Sequence, residues 1–206
     1  LFLDSEHLRV SVGGSADLVA APVVYGDGES SRQQRGEMMS DFDYEDLAGM
    51  QLNDAELAEL VGNGGECIFN WTTKEGHPVG VVVAYVYKDG TFWTTCADRR
   101  KRVPALRKRP QSGIVINNGG RTASFKGNSI VHTNGDPGHD ELKKWFYGAL
   151  SGAEANPQDK YRQAFAKFLD SPHRVIIETP VTLIVGFDVE KFRAATNRAI
   201  AEGLAD

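Results

Sequence analysis

Between residues 66 and 132 the chain alternates short apolar runs with tight-turn signals, and that rhythm leaves few folds open. Residues 66–73 (ECIFNWTT), 78–87 (PVGVVVAYVY), 91–96 (TFWTTC), 111–118 (QSGIVINN) and 122–132 (TASFKGNSIVH) read as strands. Lys74-Glu75-Gly76, Lys88-Asp89-Gly90 and Gly119-Gly120 read as the turns between them, because glycine tolerates positive φ and Asp-Gly is a strong hairpin signal. Strands this short and evenly spaced form an antiparallel meander, which loses its exposed edges by closing into a barrel.

Helices flank the meander. Asn53 followed by Glu56 is a capping-box pattern, and Leu57, Leu60 and Val61 mark one face of a short helix expected to plug one barrel end. Leu142, Trp145, Phe146, Ala149 and Leu150 repeat at helical spacing, as do Tyr161, Ala164, Phe165, Phe168 and Leu169. Residues 174–187 form a late strand in which Pro180 implies a bulge, bend or edge. Asp188 then caps a last helix that turns Val189, Phe192, Ala199 and Ile200 inward. This order is not an alternating βαβ pattern, and neither a Walker A nor a GxGxxG sequence occurs, which argues against a Rossmann-type fold.

Residues 1–52 read as an N-terminal extension that either wraps a partner or stays mobile, ahead of a folded domain over residues 53–206. The sequence opens on Leu1 rather than Met, which implies a missing upstream piece. Asp4, Glu6, His7 and Arg9 exclude a signal-peptide core there. No apolar run reaches the ~18 residues of a membrane span. Cys67 and Cys96 sit in apolar runs and read as buried thiols of a reducing compartment, so a cytoplasmic location is expected; a bridge between them stays open if their strands pair.

Charge is distributed unevenly. The net charge is −5, yet residues 99–109 (RRKRVPALRKR) carry seven of the 23 Lys and Arg and no acid. A basic island on an otherwise acidic chain points to one local anionic ligand rather than to a nucleic-acid surface, which needs a wider positive stripe. Thr94 and Thr95 precede the island, and arginine forks bind phosphate oxygens in pairs. Pro104 is expected in the first turn of a helix starting near Val103, leaving residues 99–102 on a loop.

The stretch from Gly76-His77-Pro78 through Asp89-Gly90 and Phe92-Trp93-Thr94-Thr95 to Arg100-Lys101-Arg102, Leu106 and Pro110 resembles the pyridoxamine-5′-phosphate-oxidase-like split β-barrel flavoproteins. The family includes flavin- and deazaflavin-dependent oxidoreductases. The late Arg-Val-Ile-Ile strand with its Pro-Val step fits as well, so the resemblance covers about residues 53–192. It implies an α+β, mainly β, split barrel that binds FMN, or a deazaflavin such as coenzyme F420, at the interface of a homodimer and acts on a small molecule. It implies that Val79, Gly80, Val81, Val82 and Val83 lie along the flavin ring, and that Thr94, Thr95, Arg100, Lys101 and Arg102 hold the phosphate. Arg102 stands where the family usually has Lys. Arg107, Lys108 and Arg109 are either candidates for a deazaflavin's acidic tail or simply the exposed face of the short helix. Trp145, Phe146 and Tyr147 read as core or dimer contact, with a partner-subunit lid over the ring as the other reading. A non-catalytic module that carries flavin, deazaflavin or haem is the alternative. His77, His132, His139 and His173 show no metal-ligand spacing, no metal is expected, and no catalytic residue is assigned.

Overall fold

A computed structural model describes residues 47–62 and 65–203; the part of the expected extension over residues 1–46 lies outside the described residues. The elements are α1 (Asp54–Gly62), β1 (Glu66–Thr72), β2 (Pro78–Ala84), β3 (Val86–Lys88), β4 (Thr91–Ala97), α2 (Arg102–Lys108), β5 (Gln111–Asn118) and β6 (Arg121–Asn128), then β7 (Ile130–His132), α3 (His139–Ser151), α4 (Lys160–Leu169), β8 (Arg174–Asp188) and α5 (Val189–Ala201). Two of the runs read as single strands from the sequence are broken, at Tyr85 and at Ser129. No described helix is long and apolar enough to cross a membrane.

All strand pairings are antiparallel, and the sheet runs β2-β1-β5-β6-β8-β4-β3, with β7 beside β8. Its two ends, β2 and β3, are separated in sequence by Tyr85 alone. The sheet therefore curls back on itself into a split barrel. β8 holds the halves together: Arg174 to Pro180 pair with β4, and Val181 to Asp188 pair with β6. Pro180 marks the change of partner, where its missing N–H costs no ladder bond to β6. The β6 register slips beside it, between Lys126 and Gly127.

Alternation fills the interior. Phe69, Phe92, Ile114 and Phe125 point inward, each at most 1% exposed, with the Phe92 and Phe125 rings edge-on at 4.8 Å. Each such ring contributes about 1.5–3 kcal/mol through burial. Leu60 and Val61 of α1 and Val103 and Leu106 of α2 join this core from the helices. The capping box forms as expected: the Asn53 N–H donates to Glu56 Oε2 at 2.8 Å and the Glu56 N–H to Asn53 Oδ1 at 2.9 Å. The Asp89-Gly90 turn has positive φ at both residues, as a tight hairpin of the right twist requires. Before α1, Met50 is buried, Leu52 packs on Gly186, and Lys191 Nζ donates to Gln51 O at 2.8 Å. Residues 50–52 thus pack on the same body as the helix that follows.

A Cβ on Gly127 would overlap the Pro180 carbonyl, whereas one on Gly49 would meet nothing within 4 Å. Gly127→Ala should therefore destabilise the fold by about 1–3 kcal/mol, as overpacking does, and Gly49→Ala should be neutral or stabilising by a few tenths to about 1 kcal/mol. Denaturant unfolding of the two variants checks the contrast.

Candidate functional site

The barrel opens along β2. The Tyr85 N–H donates to Gly65 O at 3.4 Å, and the Thr73 N–H donates to His77 O at 2.9 Å. Both contacts fall on odd-numbered pairs of the register that couples Cys67 with Val83 and Trp71 with Val79. Antiparallel pairs alternate between bonded and unbonded, so Val79, Val81 and Val83 commit their backbone groups to β1. Gly80, Val82 and Ala84 turn theirs to the opposite edge of β2, which pairs with no strand among the described residues. The β3–β4 register pairs Val86 with Trp93; continued past Tyr85, it sets Val82 level with Ala97 and Gly80 level with Arg99. One side of the opening is a row of strand-edge donors and acceptors, and the other is the start of the basic loop.

The five β2 positions therefore divide. Val81 and Val83 pack against the core, while Gly80 and Val82 are exposed on the outer face, Val82 at 62%. Asn70, which the sequence reading did not single out, lies across Gly80 and Gly113. Its Nδ2 donates to Gly113 O at 3.3 Å and Ile68 O at 3.2 Å, and a Cβ on Gly80 would meet its Oδ1 at 2.7 Å. A side chain at position 80 displaces Asn70, so glycine keeps this part of the edge open to close approach. Ala84, whose backbone completes the free edge, also escaped the sequence reading.

Thr94 and Thr95 do not converge on one ligand. Adjacent residues of a strand face opposite sides. Thr94 points into the barrel and is 2% exposed. Thr95 lies on the opposite face, where its Oγ1 donates to Val175 O at 2.8 Å.

The arginines do converge. Arg102 is half-buried, and its positive charge and those of Arg174 and Arg100 act on the Cys96 thiol. Helix α2 starts at Arg102, one residue earlier than expected, so residues 99–101 alone form the loop and Pro104 lies in the first turn. Arg174 was visible in the sequence only as the first residue of a strand. It reaches the cluster because Arg174 pairs with Ala97 across β4 and β8. Among the described residues no carboxylate pairs with Arg100, Arg102 or Arg174. Lys101 is exposed at the N-cap of α2. Arg109 is engaged elsewhere, donating from Nη2 to Thr72 O at 3.3 Å.

The remaining sequence candidates take structural places. Phe146 is fully buried and Tyr147 nearly so, both in a core between α3 and the barrel. Trp145 is edge-on to Trp93 at 5.3 Å with Lys88 Nζ 4.8 Å above its ring. His132 Nε2 meets Glu178 Oε2 at 2.7 Å and stacks on Trp93; His173 meets Asp98 at 3.6 Å; His77 is exposed in a turn. His139 is buried, and among the described residues no three His, Cys, Asp or Glu side chains converge. A groove of about 670 Å³ lies between α3 and α4, lined by Trp145, Tyr147 and Ala166 among others.

Both cysteines are buried and free. Burial pushes the Cys67 thiol up to about 12, with Glu66 adding to the shift. Burial also raises Cys96, but Arg102, Arg174 and Arg100 oppose it. Thiolate, not thiol, reacts with alkylating agents. Iodoacetamide at neutral pH should therefore modify Cys96 before Cys67, and Cys67 only after denaturation; peptide mass mapping over time checks the order.

No protein-family model matches the sequence, and no curated protein matches it. Solved structures do match in shape. A conserved hypothetical protein from Mycobacterium tuberculosis superposes with a TM-score of 0.60 at 17% identity, covering 71% of this chain and 91% of that one. An FAD-binding protein from Mesorhizobium loti superposes at 0.50 with 15% identity, covering 66% and 94%. The antiparallel barrel, its split beside β2 and these neighbours together give the chain a split β-barrel fold.

Proposed function

We propose that the chain binds FMN across the split and serves as a flavin-dependent oxidoreductase acting on a small molecule. The observation that carries this reading is the pairing of two features at one opening. The free edge of β2 offers the backbone groups of Gly80, Val82 and Ala84, and beyond the end of β4 stand Arg100, Arg102 and Arg174 without carboxylate partners. A planar heterocycle with polar edges fits the first, and a phosphate fits the second, since arginine forks match phosphate oxygens bidentately. The Mesorhizobium loti neighbour, FAD-binding by its description, supports the reading.

A bound flavin supplies the hydride or electron transfer. The chain's own part is to bind and orient. Arg100, Arg102 and Arg174 fix the phosphate end, the β2 edge fixes the ring in its plane, and the bare Gly80 position admits close approach. Burial keeps the Cys96 thiol protonated, so it neutralises none of the positive charge around it. FMN fits better than a deazaflavin with an acidic tail. Of the three cations available for that tail, Arg109 already bonds Thr72 O, leaving Arg107 and Lys108.

The outer face beside the site supports a homodimer with the cofactor at its interface. Val82, Ile68 and Val115 stand side by side in register on β2, β1 and β5, and Val185 continues the row beyond Ser124. Val82, Ile68 and Val185 are 62%, 43% and 51% exposed, an apolar surface that a second copy would cover. Two free thiols fit a reducing, cytoplasmic setting.

Charge-assisted hydrogen bonds contribute about 1.5–3 kcal/mol each. Arg102→Ala and Arg174→Ala should each weaken FMN binding about tenfold or more, and Lys108→Ala should leave it unchanged. Quenching of flavin fluorescence on titration measures the affinities. Arginine variants that bind FMN as tightly as the parent chain would overturn the phosphate assignment.

A further inference from the structure

Gly80, Asn70 and Gly113 lie side by side in register on β2, β1 and β5. Directly paired residues share a face of the sheet, so Asn70 stands on the outer face between two positions without side chains. Its carboxamide is held in one orientation. Nδ2 donates to Ile68 O at 3.2 Å and to Gly113 O at 3.3 Å, which uses both of its protons. Two carbonyl oxygens accept only from the nitrogen, so the amide cannot be turned round. Oδ1 is thereby directed over Gly80, where an added Cβ would stand 2.7 Å from it.

The sheet does not need these two bonds. Odd-numbered residues of β1 bond to β2, so Ile68 and Asn70 direct their backbone groups to β5, opposite Val115 and Gly113. Ile68 O and Gly113 O therefore each accept a ladder bond already, and Nδ2 takes their second lone pairs. What the two bonds achieve is a fixed direction for Oδ1. Asn70 is half-buried, yet among the described residues no N–H or O–H donates to Oδ1. An acceptor left unmet away from water costs stability. This one lies over the strand whose other edge is free.

We propose that Asn70 Oδ1 is the acceptor that recognises the ring bound at the split, by taking the hydrogen bond of its imide N–H. This rests on the FMN reading. The oxidised flavin ring carries a single N–H, at N3, between the two carbonyls of its pyrimidine end. A fixed carbonyl oxygen therefore selects that end of the ring, while the arginines beyond β4 hold the phosphate. Asn70 is a positioning residue: it sets which end of the ring turns towards β1 and takes no part in the electron transfer. It adds a side chain from β1 to a ring contact otherwise made by the backbone of β2, and the bare Gly80 leaves its amide in place.

Parallel fluorescence titrations with FMN and with 3-methyl-FMN, in which a methyl group replaces that proton, test the assignment without turnover. The parent chain should bind FMN about fivefold or more tightly than 3-methyl-FMN, as the loss of one neutral hydrogen bond implies. In Asn70→Leu the ratio should fall to about one. Gly80→Ala keeps the amide but pushes it aside, so the ratio should fall there too, even if Asn70→Leu does not fold. The preference for FMN over riboflavin should be unchanged in both variants, because the phosphate contacts are untouched. A preference for FMN over 3-methyl-FMN that survives in both variants, or that is missing from a parent chain that binds FMN, would overturn the role of Asn70 and leave the FMN reading standing. A parent chain that does not bind FMN would overturn that reading and this inference with it.

Discussion

The bend at Tyr85 is the constraint on which the site depends. One apolar stretch of chain serves two partners: before Tyr85 it pairs with β1, and after it with β4. Tyr85 is 4% exposed, its phenol donates to Val61 O at 3.1 Å, and its ring packs on Phe92 at 5.2 Å. These contacts tie the bend to α1 and to the core at once. Because the stretch changes partner there, β2 and β4 diverge. The divergence frees one backbone edge of β2 and leaves room between it and the loop that carries the arginines. A straight continuation would pair that edge and close the barrel.

The arginine cluster follows from the same topology. Arg100 and Arg102 are brought to the mouth by the loop and helix that follow β4, and Arg174 by its pairing with Ala97. Two distant pieces of sequence thus bring three arginines to the Cys96 end of β4. Their mutual repulsion is held in place by strand pairing and by the buried face of α2, whose Val103 and Leu106 are part of the core. The fold supplies the rigidity, and the unbalanced charge makes the mouth receptive to an anion.

Much of the architecture was legible in the residues. The turn glycines, the capping box of Asn53 and Glu56 and the proline in β8 each announced a local structure that formed, because each is decided by backbone sterics or by hydrogen bonds between near neighbours. The break at Tyr85 was hidden. Residues 78–87 are continuously apolar, and which partner each half takes is settled by the rest of the sheet. The site was legible in part. The charge run marked Arg100 and Arg102, but Arg174 and Asn70 come near the mouth only through cross-strand register, which one sequence does not display. Adjacency misled at Thr94 and Thr95, whose hydroxyls are separated by the two-residue period of the strand.

On the proposed reading, the phosphate is the group that the mouth grips. Parallel fluorescence titrations of the chain with FMN and with riboflavin, which share the ring and differ in the phosphate, test this directly. Three arginines and charge-assisted bonds of about 1.5–3 kcal/mol each predict that FMN binds at least about tenfold more tightly than riboflavin, with the difference shrinking as salt is added. Equal affinity for the two, or no binding of FMN, would contradict it.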